Sequence, residues 1–264
     1  MRRTLFKIIG YCLIIYSLIC WHIYMTQEQL LFFPQKLNKN YQFDFDTNFE
    51  EINIKSFDNK ILNNLLFKTN SPKGVIFYLH GNAGSLQTWG KVAKTYTDLN
   101  YDVFMLDYRG YGKSEGQNKS EEQVFKDVEV AYQTVKKRYT ENKIIILGYS
   151  LGTGLATKIA SEHNTKLLIL QAPYYSLVDL MKKNYPLLPT SILKYKFETN
   201  QYITKCKAPI VIFHGNIDYV INYESSVKLS SLFKKNDRLI ILKGQGHNDI
   251  TDNQEYQKVL REVL

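Results

Sequence analysis

Cysteine is scarce in this 264-residue chain, and the position of its three copies matters more than their number. Cys12 and Cys20 lie in an apolar N-terminal stretch and Cys206 alone lies beyond it, so no disulfide can form within the globular part, and the redox compartment stays open. The five histidines, His22, His80, His163, His214 and His247, make no HExxH and sit beside no paired cysteines, which removes the case for a zinc site. No nucleic-acid motif accompanies the formal charge of +9. Arg2, Arg3 and Lys7 supply three of the cations, and the others are scattered as on a solvated surface, so no nucleic-acid partner is expected.

Charge is missing altogether from Ile8 to Met25, 18 residues, about the minimum that crosses a hydrocarbon core. Alanine is missing too until Ala83, which removes the A-x-A cleavage pattern of a signal peptide, and Ile19 before Cys20 disfavours lipoprotein processing. The stretch therefore predicts an uncleaved single-pass anchor over residues 1–27, with a buried core helix as the alternative. With Arg2, Arg3 and Lys7 ahead of the span, the N-terminus is expected in the cytoplasm and the domain on the outer, periplasmic or extracytoplasmic side.

What is present is a rhythm. EEINIKSF and ILNNLLFK, separated by Asp58 and Asn59, predict an antiparallel hairpin. Apolar strands then alternate with helix-length segments: VIFYL (75–79), DVFML (102–106), KIIIL (143–147), KLLIL (166–170), PIVIF (209–213) and RLIIL (238–242). That alternation predicts an α/β domain over residues 28–264, with a mostly parallel sheet of about eight strands and helices on both faces. Ser120 and Gln123 predict a capping box, after which Val124, Phe125, Val128, Ala131, Tyr132 and Val135 share one helix face. The rhythm breaks between about 173 and 208. This connection is twice the usual length and carries YPLLPTSILKYKF, so it is read as a short cap or lid, with a helix packed on its own domain as the alternative.

The chemistry centres on IIILGYSLGTG, where Ser150 sits between Gly148 and Gly152 at an abrupt strand-to-helix turn. A serine hydroxyl needs a base to take its proton and a carboxylate to orient and compensate that base. His247, in a glycine-flanked loop after the last strand, is the candidate base, whereas His163 ends a helix and reads as surface. Asp218, after the next-to-last strand, is the candidate acid. Asp249 lies too close in sequence to His247, and Asp179 falls in the cap. For the oxyanion hole the candidates are the backbone N–H of Leu151 and that of Asn82 in LHGNAGS, with Ala83 as second choice.

HGNAGS, DYRGYGKSEG, GYSLGTG, HGNID and GQGHND, in this order over residues 28–262, resemble the α/β-hydrolase superfamily. In particular the chain resembles the short-capped branch holding membrane-anchored α/β-hydrolase-domain proteins, some of them protein depalmitoylases. Position by position, the resemblance implies a serine hydrolase with Ser150, Asp218 and His247 as its triad, no cofactor and no metal, and His80 and Arg109 as supports of nearby loops. Asn222 departs from it, since relatives usually carry proline there. The expected activity is cleavage of a carboxylic ester or thioester, the substrate being a small acyl ester, a thioester or a lipid-like molecule met at the membrane through the N-terminal helix. Serine peptidase or lysophospholipase activity on the same triad, or a catalytically silent binding module, are the alternatives.

Overall fold

The computed structural model describes residues 2–264. It opens with α1 (Arg2–Leu31), one unbroken helix that runs past the expected boundary at residue 27. Its apolar side chains are largely exposed, Gln27 is its one buried residue, and Phe32 directly after it lies in the domain core. The two-residue strand β1 (Phe33–Pro34) follows, then β2 (Phe49–Lys55), β3 (Ile61–Phe67), β4 (Gly74–Leu79) and the short β5 (Ala83–Gly84). Short helices α2 (Leu86–Trp89) and α3 (Ala93–Thr97) lead to β6 (Tyr101–Leu106), α4 (Glu121–Lys136), β7 (Ile144–Tyr149), α5 (Gly152–Glu162) and β8 (Leu167–Gln171). The long connection holds α6 (Leu177–Asn184) and α7 (Thr199–Ile203), and the chain finishes with β9 (Ile210–Gly215), α8 (Glu224–Ser230), β10 (Arg238–Leu242) and α9 (Gln254–Val263).

Eight strands form one sheet in the order β10-β9-β8-β7-β4-β6-β3-β2. The hairpin β2–β3 is antiparallel, β3 joins β6 antiparallel, and all other pairs are parallel. Burial on both faces explains the unbroken apolar runs, because side chains alternate between the two cores. Phe77, Ile146, Leu168 and Ile212 meet α4 and α5 through Val128, Tyr132 and Leu155. Tyr78, Ile145, Ile169 and Val211 meet α3 and α9 through Tyr96, Tyr256 and Leu260.

Ser120 Oγ caps α4 by accepting from the Gln123 N–H at 3.2 Å, but the Gln123 side chain accepts from the Lys119 N–H at 2.8 Å instead of closing the expected box on Ser120. On the expected apolar face one charged residue is also buried, Asp127. It pairs with the buried Arg109 (Nε to Oδ2 2.5 Å), which reaches Asp58 with its other nitrogens at 2.6 and 2.8 Å. Hydrogen bonds from Arg109 hold the Asp58 carboxyl down at about 2. Arg109 thus fastens α4 and the β2–β3 turn to the loop after β6, the supporting role that the resemblance implied.

The 173–208 connection divides in two. Tyr195, Phe197, Ile203 and Cys206 are core residues, and burial pushes the Cys206 thiol up to about 12. The part between α6 and Lys194 turns the other way and runs beside α1.

Candidate active site

Parallel order places β4 and β7 side by side, with Leu79 opposite Gly148, at the point where the chain reverses its direction of travel across the sheet. Ligands in open α/β sheets collect at such a point, beyond the carboxyl ends of the strands. Ser150 follows β7 there with φ +50, a left-handed conformation that costs a non-glycine residue energy. The turn is held by the Ser150 N–H donating to Gln171 O at 2.9 Å and by Thr153 Oγ1 donating to Ser150 O at 2.6 Å. The two flanking glycines are steric necessities. A Cβ on Gly152 would stand 2.0 Å from Leu79 O, and one on Gly148 2.6 Å from Gly152 O.

The structure brings Ser150, His247 and Asp218 into one row. His247 Nε2 lies 3.0 Å from Ser150 Oγ, and its Nδ1 lies 2.7 Å from Asp218 Oδ2. A carboxylate facing Nδ1 fixes the proton there, which leaves Nε2 free to accept from the serine hydroxyl. Asp218 is buried, and its Oδ1 accepts from the N–H groups of Val220 and Ile221, both at 2.8 Å. Burial works against its ionisation, yet hydrogen bonds from His214, His247 and the Ile221 N–H outweigh burial and hold the carboxyl well below the usual range. The competing acids are elsewhere: Asp179 pairs with Lys228 at 2.8 Å, and Asp249 is exposed at φ +59. His163 pairs with Glu129 at 2.9 Å, away from the row.

Two contributors were not singled out in the sequence. His214, fully buried at the end of β9, brings Nε2 to 3.2 Å from Asp218 Oδ2 and 2.8 Å from Ile221 O, while Nδ1 meets Ser226 Oγ at 2.6 Å. Its i,i+4 spacing to Asp218 in HGNID was the available signal. Tyr149, one residue before the serine, donates its hydroxyl to His247 O at 2.5 Å. Gly215 is where the acid loop and the histidine loop touch, since a Cβ there would lie 2.2 Å from Gln245 O.

In the loop after β4, three successive carbonyls are pinned. Gly81 O receives His80 Nδ1 at 2.7 Å, Asn82 O receives the Phe33 N–H at 2.8 Å and the Tyr111 hydroxyl at 2.5 Å, and Ala83 O receives Trp89 Nε1 at 2.7 Å. C=O and N–H point opposite ways in a trans peptide, so fixing Gly81 O fixes the Asn82 N–H and fixing Asn82 O fixes the Ala83 N–H. His80, stacked on Trp89 and packed against Tyr108, acts through the backbone of this loop. Among the described residues the N–H groups of Leu151 and Asn82 donate to no protein group, and Leu151 occupies the N-cap position of α5. Among the described residues no cluster of His, Cys, Asp and Glu suits a metal.

This sheet order, with Ser150 in the turn after β7 and Asp218 and His247 in the loops after β9 and β10, is that of the α/β-hydrolase fold. A family described as serine aminopeptidase, S33, matches residues 70–198. Among curated proteins the chain is similar to alpha/beta hydrolase domain-containing protein 17C of Xenopus tropicalis, 29% identical over 195 residues, covering 72% of this chain and 61% of the relative. The human protein of the same name is 28% identical over 200 residues, covering 74% of this chain and 59% of the relative. The chain thus spans about three fifths of the length of these curated relatives. Among solved structures, a Pyrococcus furiosus esterase superposes with TM-score 0.71 at 19% identity, covering 89% of this chain and 96% of the other. An α/β hydrolase from Vibrio vulnificus superposes with TM-score 0.69 at 18% identity, covering 82% and 81%. Identities this low speak to the fold.

Proposed function

We propose that this chain is a membrane-anchored serine hydrolase that cleaves carboxylic ester or thioester bonds through an acyl-enzyme. Ser150 is the nucleophile, His247 the base and then the acid, and Asp218 the carboxylate that orients and compensates the imidazole. The observation that carries this reading is the 3.0 Å approach of His247 Nε2 to Ser150 Oγ while Nδ1 faces Asp218 at 2.7 Å. Ser150 Oγ attacks the acyl carbon as Nε2 takes its proton, and the charge growing on the carbonyl oxygen is received by the N–H groups of Leu151 and Asn82, with Ala83 as the second choice for the latter. Collapse breaks the bond to the alcohol or thiol, which leaves with the proton held by the imidazolium. Water then repeats the sequence on the acyl-serine and releases the acid. No cofactor enters.

Residues 1–27 form the anchor, 28–264 the hydrolase domain and 173–208 its cap. Support comes from α1, whose most apolar 18-residue window has a mean hydropathy of 1.8, and from Arg2, Arg3 and Lys7 at its leading end. Those cations favour a cytoplasmic N-terminus and an outward-facing domain. The serine aminopeptidase description favours one second reading, amide cleavage by the same residues, in which only the leaving group differs.

A fluorophosphonate probe tests the proposal. The native chain is expected to be labelled and Ser150→Ala not; an unlabelled native chain would return the fold to a silent binding module. A panel of p-nitrophenyl esters, acyl thioesters and aminoacyl p-nitroanilides then separates the bonds.

A further inference from the structure

The cap tip lies beside the middle of the apolar helix. Tyr16 donates its hydroxyl to Leu187 O at 2.7 Å, Gln27 Nε2 donates to Ile192 O at 2.6 Å, and Gln27 Oε1 accepts from the Lys194 N–H at 2.9 Å. From Gln27 back to Tyr16 is eleven residues, about 16 Å along a helix axis. Half of a hydrocarbon core is about 15 Å. Tyr16 sits near the centre of the uncharged run Ile8–Met25, so with α1 across a bilayer, Leu187 stands at hydrocarbon depth and Lys194 near the headgroups.

The composition of the tip matches that placement. Residues 184–193, NYPLLPTSIL, hold no charge and are bracketed by Lys182 and Lys183 on one side and Lys194 and Lys196 on the other. Leu187 is 84% exposed and Tyr185 61%, which is costly in water and neutral in lipid. Backbone groups at that depth need partners, since lipid supplies none. Pro186 and Pro189 have no N–H to satisfy. Turns within and just before the tip use the N–H groups of Tyr185, Leu188, Ile192 and Leu193, and α1 itself satisfies the carbonyls of Leu187 and Ile192. This also accounts for the tyrosine hydroxyl in the middle of the apolar run. At the level of Met25 and Phe32, a cavity of about 460 Å³ is rimmed by Lys36, Lys119 and Lys194, cations at the height of anionic headgroups.

We propose that cap residues 184–193 are inserted in the lipid bilayer beside α1, so that the occupant of this exposed apolar face is the hydrocarbon of the leaflet. The inference rests on the anchor reading of α1. The cap then forms one membrane-embedded unit with the helix.

The test uses the full chain in phosphatidylcholine–phosphatidylglycerol vesicles, with Cys12→Ser and Cys20→Ser and the buried Cys206 retained. An environment-sensitive nitrobenzoxadiazole probe is attached in turn through Leu187→Cys, Tyr185→Cys, Leu13→Cys in α1 and Lys55→Cys in β2. Nitroxides on the lipid chains are expected to quench the probe at positions 187, 185 and 13 several-fold more than at 55. Quenching at 13 without quenching at 187 and 185 overturns the proposal and leaves the anchor standing. No quenching at 13 overturns both.

Discussion

Tyr149 donates its hydroxyl to the backbone carbonyl of His247 at 2.5 Å, tying the residue before Ser150 to the histidine beyond it. The imidazole is thus held from two sides, by Asp218 on the ring and by Tyr149 on its main chain. Losing a neutral hydrogen bond of this kind is worth about 1 kcal/mol. For Tyr149→Phe we expect kcat on a p-nitrophenyl ester to fall by up to about tenfold with KM little changed. An unchanged kcat would show that the loop holds itself.

Ser150→Ala removes the hydroxyl and is expected to abolish hydrolysis while the thermal transition stays in place. Asp218→Asn presents the wrong tautomer of His247 and should lower kcat on the order of 10⁴-fold. Asp249→Asn should cost little, because Asn tolerates the φ of +59 found there and the ring nitrogens of His247 are taken by Asp218 and Ser150. The reverse ranking of the two would assign the acid to Asp249.

Asp218 also predicts an acid-sensitive term in stability. A carboxyl held below its unfolded value, about 3.9, contributes its stabilisation in full above that value and loses it as pH falls toward the folded-state value. The difference in Tm between the native chain and Asp218→Asn should therefore hold above about pH 5 and shrink as pH falls below about 4. A gap that widened on acidification would contradict the sign.

The Arg109 cluster predicts a stability effect away from the reacting atoms. Removing one partner of a buried pair strands the other charge, at about 3–5 kcal/mol. Arg109→Ala should lower Tm by roughly 2–4 °C for each of those kcal/mol, read by thermal denaturation. Arg109→Lys should not restore it, since one ammonium cannot serve Asp127 and Asp58 together.

The proposed anchor predicts fractionation. The full chain should resist carbonate extraction, while a chain beginning at Thr26 should be released by carbonate and keep activity, because it retains Gln27 and Glu28 and with them the contacts to Ile192 and Lys194. Protease protection in spheroplasts checks the side on which the domain lies.

The β-strands were legible because each is buried on both faces, so an apolar run marks it without reference to its neighbours. Ser150, Asp218 and His247 were legible because each follows a strand of the same sheet, and parallel topology carries all three to one edge. Other features depend on contacts that no local pattern specifies. His214 reads as one more apolar-strand residue until the turn of HGNID brings it back on Asp218. The cap segment shows its apolar residues but not their destinations: Tyr195 and Phe197 turn into the core, whereas Leu187 turns out beside a helix more than 150 residues earlier in the chain. Asp127 was hidden because its partner Arg109 comes from a separate loop.

The helix α1 enters the domain without a linker: it ends at Leu31, and Phe32 is already core, packed edge-on against Tyr195. With α1 in a bilayer, the domain is therefore a fixed turret and not a tethered ball. Ser150 is then held at one height and one heading. On the proposed reading, a membrane-borne substrate is met only where its scissile bond stands at that height, a restriction that acts before any pocket.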